Sequence, residues 1–300
     1  MMWQPSCTLA VLRERAQFLL QIRQFFLARD VLEVDTPLLC RGVATDPFLQ
    51  AFRIQDRFLQ TSPEFAMKRL VAAGSGPIYY LGKAFRKAEV GARHNPEFTM
   101  LEWYRPDWTQ AQLISEVDAL FQELLHTPPA EITTYQALFE QVFDLNPHTA
   151  SVEALQRVAG NSPQLDKDGY LDFLLTHHIE KNLGKTCPQV IIGYPQSQAS
   201  LAKIENGVAQ RFEFYYQGVE LANGYHELTC AKEQRQRFEV DLQQRQQFNQ
   251  ELLPVDETLL AALPFLPPCS GVAVGVDRLL MLKLQEKDIS NVLPFAWERA

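Results

Sequence analysis

The sequence predicts an α+β fold in which helices surround a mainly antiparallel sheet. Strand-like runs occur as adjacent pairs: "PIYYLGKAFRKAEV" with "EFTMLEWYR", and the two halves of "QRFEFYYQGVELANGYHEL". Helical periodicity marks residues 8–29 and the polar stretch "KEQRQRFEVDLQQRQQFNQE". A glycine-rich strand, "SGVAVGVDRLLMLKLQ", runs straight into a helix.

Each element has a local reason. Leu9, Leu12, Ala16, Leu19, Ile22 and Phe26 recur at helical spacing, and Thr8 is the N-cap. "VLEVDTPLLC" reads as a short strand, and Pro37, with no N–H for a ladder, assigns it to an edge or interface. "TSPEFAMKRLVAAG" is a turn and a helix, with Pro63 near the first helical position and Gly74 at the stop. The polar loop "GARHNP" joins the first strand pair. Residues 109–126 form an amphipathic helix, and residues 127–185 are helical pieces broken by Pro and Gly, without a chemical motif. "PQVIIGYP" is a buried strand, and the aromatic run after it reads as two strands around a turn. No repeat or linker interrupts the chain, so a single domain over residues 1–300 is expected.

Composition narrows the function classes. The 300 residues are 46% hydrophobic and 21% charged, a globular balance. A net charge of −8 argues against a protein held to nucleic acid mainly through phosphates. The five cysteines lie far apart with no CxxC pair, which disfavours structural zinc and fits a reducing compartment. No apolar run precedes the first charges, so no leader is expected, and no stretch is long enough to cross a membrane. A cytoplasmic protein is predicted.

The charged residues inside the strand pairs carry the chemistry. Arg86 sits in the apolar strand "AFRKAEV", and Arg278 sits where "GVAVGVDR" enters a helix. A planar guanidinium matches phosphate oxygens two at a time, while the blander reading is two surface charges. Gly271 and Gly275 would let a ligand approach the backbone. Neither a GxxxxGK[ST] loop nor a dinucleotide fingerprint is present, so a nucleotide site would rely on arginines and metal. Glu220 and Glu227 bracket Asn223-Gly224, and a hairpin turn there would bring the two carboxylates together as hard ligands for Mg²⁺. Strand-face charges with lysine partners are the alternative. Glu64, Glu97 and Glu102 form a second acidic group that, with Tyr104, could hold an ammonium. His94 reads as a turn or hydrogen-bonding residue rather than a base.

Together these segments resemble the catalytic domain of class II aminoacyl-tRNA synthetases, with the lysyl branch closest. "FLARDVLEVDTPLL" resembles the first motif of that family, "FRKAEVGARHNPEFTMLEWY" the second and "GVAVGVDRLLML" the third. "TSPEFAMKRL" and "VELANGYHEL" resemble lysyl-branch signatures. The likeness covers nearly the whole chain. The chain starts directly at the catalytic core, so no anticodon-binding OB domain is expected. In this it looks like the paralogous branch that attaches (R)-β-lysine to elongation factor P.

The resemblance implies ATP and Mg²⁺, a homodimer, lysine or β-lysine as substrate, elongation factor P as acceptor, and no binding of a tRNA anticodon. It implies that Arg86 contacts the α-phosphate and Arg278 the γ-phosphate of a bent ATP. Lys87, Ala88, Asn95, Glu220, Leu221 and Gly275 complete the implied ATP set. Glu220 and Glu227 would serve the metal. Ser62, Pro63, Glu64, Tyr104, Glu227 and Ala273 would line the amino-acid pocket. Ala273 stands where lysyl-tRNA synthetases tend to have Gly, and its methyl would reshape the pocket toward a β-amino acid.

One departure stands out. The second motif usually reads Phe-Arg-x-Glu, whereas this chain reads Phe85-Arg86-Lys87-Ala88 and places Glu89 one position late. In a strand that shift reverses the face of the side chain, so Glu89 is not expected to replace the missing carboxylate. A free-standing ligase that charges tRNA or another acceptor would share every activation residue. A non-catalytic synthetase-like subunit is the third reading, with Ala88 as its best argument.

Overall fold

The computed structural model describes residues 3–87 and 89–300; Ala88, implied above as part of the ATP set, lies outside them. The chain divides into two compact units, Met1–Trp108 with Leu228–Ala300, and Thr109–Glu227.

The first unit opens with α1 (Leu9–Leu27), and Thr8 caps it by accepting the Val11 N–H at 3.3 Å. The expected "VLEVDTPLLC" strand is instead two short pieces, β1 (Leu32–Glu33) and β2 (Leu39–Cys40), with Pro37 in the gap between them. β1 is an edge strand, as the proline predicted. Next come β3 (Arg53–Ile54), β4 (Arg57–Leu59), α2 (Glu64–Ala72), β5 (Ile78–Phe85) and β6 (Glu97–Pro106). Pro63 is the N-cap of α2, and Gly74 ends that region at φ 88°, a conformation glycine adopts without a side-chain penalty.

The second unit runs through α3 (Gln110–Leu125), β7 (Glu131–Thr134), α4 (Tyr135–Phe143), α5 (Val152–Ala159), α6 (Lys167–Leu174), β8 (Gln189–Pro195), β9 (Ile204–Glu205), β10 (Val208–Tyr216) and β11 (Val219–His226). Its strands are ordered β11-β10-β8-β7, with β7 parallel to β8 and β9 paired to β10. The sequence reading of residues 127–185 as helical pieces holds for α4 to α6 but omits β7. Tyr135, Phe139, Leu155 and Leu171 pack with Ile191 and Tyr215 in one buried cluster, so α4 to α6 cover one face of this sheet.

The chain returns to the first unit with the long polar helix α7 (Ala231–Gln247), then α8 (Glu257–Ala262), β12 (Cys269–Gly275) and α9 (Val276–Lys283). In this unit β1-β5-β6-β12 are neighbours in one sheet, and β2-β4-β3 form a separate three-stranded sheet. β5, β6 and β12 are antiparallel neighbours, while β1 joins β5 in parallel. Alternation along these strands creates two faces with different duties. Phe26 of α1 stacks on Tyr79 at 4.5 Å and meets Trp103 edge-on at 5.2 Å, so α1 covers the face of the odd-numbered β5 and β6 residues. Burying an aromatic ring of this kind contributes about 2–3 kcal/mol. The even-numbered residues, Tyr80, Glu102 and Tyr104, point the other way, with Gly271, Ala273 and Gly275 beside them on β12.

Candidate active site

Tyr80, Glu102 and Ala273 lie in one row across β5, β6 and β12. Glu102 is 2% exposed and acceptor-rich. Ser62 donates its hydroxyl to Glu102 Oε2 at 2.7 Å, and Tyr104 donates to Oε1 at 2.7 Å. Ser62 Oγ also accepts the Glu64 N–H at 3.0 Å, which fixes the start of α2 over this row. Burial, reinforced by the Glu64 charge, pushes the Glu102 carboxyl up to about 7, against the pull of the Ser62 and Tyr104 hydroxyls and the Lys68 ammonium. A hollow beside it is lined by Gly42, Val43, Ala44, Ser62, Pro63 and Glu64.

Of the three acids grouped from the sequence, two converge here and one does not. Glu97 lies at the exposed start of β6, opposite Phe85, and meets Lys83 at 3.3 Å. Its odd position puts it on the face that Glu102 avoids. Lys68 went unnoticed in the sequence, although its i,i+4 spacing from Glu64 is a readable helical pair.

Arg86 follows the end of β5, and Arg278 lies in the first turn of α9. Arg86 Nη1 meets Glu89 Oε1 at 3.2 Å, and the guanidinium sits 5.2 Å over the Phe98 ring. Glu89 Oε2 is 4.0 Å from His94 Nε2, and Arg278 Nη2 donates to that same nitrogen. Arginine has no acceptor, so His94 Nε2 must be unprotonated. Partial burial and the adjacent Arg278 charge agree with this, lowering the imidazole pKa below its ordinary value. Arg278 Nε also donates to the Arg93 carbonyl at 3.3 Å. Glu89 thus pairs with Arg86, and the neutral His94 imidazole accepts from Arg278.

This geometry corrects the reading of Glu89. β5 ends at Phe85, so Arg86, Lys87 and Glu89 lie outside it and strand alternation does not govern them. Glu89 turns back onto Arg86 instead of facing away. Lys87 is exposed and is held through its backbone, with its N–H donating to the Gln50 carbonyl at 2.8 Å. Asn95 is buried, and its amide is engaged at both ends: Nδ2 donates to the Glu97 carbonyl at 2.7 Å, and Oδ1 accepts the Trp297 N–H at 2.9 Å. Gly275 is the N-cap of α9, three residues before Arg278.

In the second unit, Asn223-Gly224 is not a turn. Both residues lie inside β11, and the reversal falls at Gln217-Gly218, where φ is 51° and 69°. Those paired positive values suit the twist of a tight hairpin. Phe214 pairs with Ala222 but Tyr215 pairs with Glu220, so Leu221 is the extra residue of a bulge. The bulge resets the alternation and puts Glu220 on the face of Asn223 and Tyr225. Continued alternation carries Glu227, 2% exposed, to that face as well. The two carboxylates thus share a face along one strand rather than meeting across a turn. Glu213, also passed over in the sequence, joins them opposite Asn223: it accepts Tyr194 and Tyr215 hydroxyls at 2.6 Å each and the Asn223 Nδ2 donor at 3.1 Å.

Among the described residues, no three His, Cys, Asp or Glu side chains gather into a metal cage. Mg²⁺ needs no such cage, since one or two carboxylates complete its shell together with phosphates and water. No helix among the described residues is long and apolar enough to cross a membrane.

The mixed sheet, the guanidinium pair and the carboxylate row define a class of protein. The family of class II tRNA synthetases (D, K and N) matches residues 4–299, and the chain belongs to it. Close relatives narrow the comparison. The elongation factor P–(R)-beta-lysine ligase of Pseudoalteromonas translucida is 46% identical, covering 100% of this chain and 99% of its own. The Haemophilus influenzae protein of the same name is 46% identical, and that of Klebsiella pneumoniae 45%, each covering 99% of this chain and 98% of its own.

Proposed function

We propose that this chain activates (R)-β-lysine with ATP and transfers it to a lysine side chain of elongation factor P. The observation that carries the activation step lies in the first unit: Glu102 of β6 sits under the start of α2 that carries Glu64, while Arg86, just past the end of β5, and Arg278, in the first turn of α9, both meet the segment 89–94. Carboxylates suit the ammonium groups of a diamino acid, and guanidiniums suit a triphosphate. The end-to-end likeness to relatives named for β-lysine and elongation factor P supports this choice of substrate and acceptor.

The reaction has two steps. The amino-acid carboxylate attacks the α-phosphorus of ATP, pyrophosphate leaves, and a mixed anhydride with AMP forms. Arg86 stabilises charge growing on the α-phosphate, and Arg278 holds the γ-phosphate. The neutral amine of the acceptor lysine then attacks the anhydride carbonyl; an amide forms, AMP leaves, and the amine proton goes to solvent. Catalysis rests on positioning and electrostatics, without a covalent enzyme intermediate. Glu220 and Glu227 would hold Mg²⁺, which would supply positive charge to the reaction. A homodimer is part of the proposal: Leu27, at the end of α1, and Leu32, on edge strand β1, are 78% and 58% exposed, apolar surface that a second copy would cover.

Mass spectrometry of elongation factor P after incubation with enzyme, ATP and each lysine isomer tests the reading. A mass increase with β-lysine is expected. Labelled amino acid found on tRNA alone would reject it.

A further inference from the structure

Lys68 is 1% exposed, and its ammonium meets Glu64 Oε1 at 2.5 Å. A cation this deep persists only with a fixed counter-charge. Glu64 is tied in turn to Glu102, because the Ser62 hydroxyl donates to Glu102 and accepts the Glu64 N–H. This small region therefore holds two carboxylates and one ammonium of its own. It has one negative charge in excess when both acids are ionised.

We infer that Lys68 is a built-in counter-ion: it fixes Glu64 and leaves the carboxylate pair short of a single ammonium, which the substrate supplies. The inference rests on the proposed amino-acid pocket and deepens it. Lys68 does not touch substrate in this scheme; it is a positioning residue that sets the charge the Glu64–Glu102 pair offers to one of the substrate's two ammonium groups. Without it, the full Glu64 charge would act on Glu102. Glu102 would then keep its proton to higher pH rather than meet a second cation. The groups facing Glu102 are Glu64 and Lys68 from α2, Ser62 before that helix, Tyr104 from its own strand and Tyr80 from β5. Among these Lys68 is the one cation.

Two measurements test this. Carbon-13 titration of labelled glutamate carboxyls needs no ligand, and Lys68→Met should move the Glu102 midpoint to higher pH. Adding Glu64→Gln to Lys68→Met restores the original charge count and should return the midpoint toward its parental position. Lys68→Gln, which keeps a donor toward Glu64, replaces Lys68→Met if that protein does not fold. Calorimetry with β-lysine supplies the second readout. Parental affinity should fall as pH drops below neutrality, and Lys68→Met should shift that fall upward and weaken binding about tenfold at neutral pH. A Glu102 midpoint unmoved by removal of Lys68, or unmoved again by Glu64→Gln, would overturn the inference. A parent that titrates as expected but binds no diamino acid would instead remove the functional reading beneath it.

Discussion

Arg15 Nη1 lies 2.6 Å from Asp277 Oδ1, and the pair is almost fully buried. Arg15 Nη2 also donates to Thr99 Oγ1 at 2.7 Å, and the Thr99 N–H donates to Asp277 Oδ2 at 2.7 Å. α1, β6 and α9 are thereby tied at the residue before Arg278. Removing one partner leaves the other charge buried and alone, at a cost of roughly 3–5 kcal/mol. Arg15→Met should lose that much in urea unfolding followed by the near-ultraviolet signal. Asp277→Asn should additionally raise the KM for ATP, because the turn carrying Arg278 loses its anchor. A loss under about 1 kcal/mol would mean that water enters and solvates the remaining charge.

The two arginines are predicted to fail differently. Arg86 is assigned to charge that grows in the transition state, so Arg86→Lys should lower kcat by about 10²–10³. Arg278 is assigned to a phosphate bound equally before and during reaction, so Arg278→Lys should mainly raise the KM for ATP. Steady-state pyrophosphate exchange separates the two. Equal effects on kcat from both substitutions would contradict the assignment.

Glu102 predicts an unusual pH dependence of stability. Its carboxyl is raised from 4.5 to about 7 in the fold. The folded state therefore holds this proton more tightly than the unfolded chain does. Stability from this group is full below the unfolded value, declines as pH rises between the two values, and is lost above the folded one, a difference of roughly 3 kcal/mol. Glu102→Gln should abolish that decline and be the more stable protein at alkaline pH. Parallel unfolding curves for parent and variant across the range would refute this.

Position 88 gives a prediction from sequence alone. The resemblance implies that the usual motif glutamate helps hold the adenine amino group, a role for which an alanine side chain has no acceptor. Ala88→Glu should lower the KM for ATP without raising kcat, as expected for uniform binding. An unchanged KM would show that another group already serves the base.

Much of this architecture was legible in the sequence, for physical reasons. The β5–β6 pair announced itself through alternation, Thr8 through its capping chemistry, and β1 as an edge through Pro37. What stayed hidden depends on contacts between distant segments. Arg245 is 2% exposed and serves the carbonyls of Thr45, Asp46 and Leu49, acceptors that every residue type carries. β7 is four mostly exposed residues, too short to show a period. The Leu221 bulge changed which face Glu220 takes, and no spacing rule signals a bulge in advance. The side taken by Glu89 was not legible because β5 ends at Phe85, earlier than the apolar pattern suggests.

Ala273 carries the last prediction. It lies directly opposite Glu102 in the β6–β12 register, so its methyl enters the face that holds the carboxylate row. An α-amino acid and its β-isomer differ in where the amine leaves the carbon chain, and one methyl can discriminate that shift by only about 1–3 kcal/mol. Ala273→Gly should therefore move the ratio of kcat/KM values for β-lysine and α-lysine toward the α-isomer by roughly tenfold or more. Glycine inside a strand also costs about 0.5–1 kcal/mol of stability. That cost applies to the enzyme whichever isomer it binds, so it cancels in the ratio. Pyrophosphate exchange with each isomer on the same preparation gives the number. A ratio that stays at the parental value would show that the methyl does not set the choice, and Glu64 or Tyr104 would be the next residues to vary.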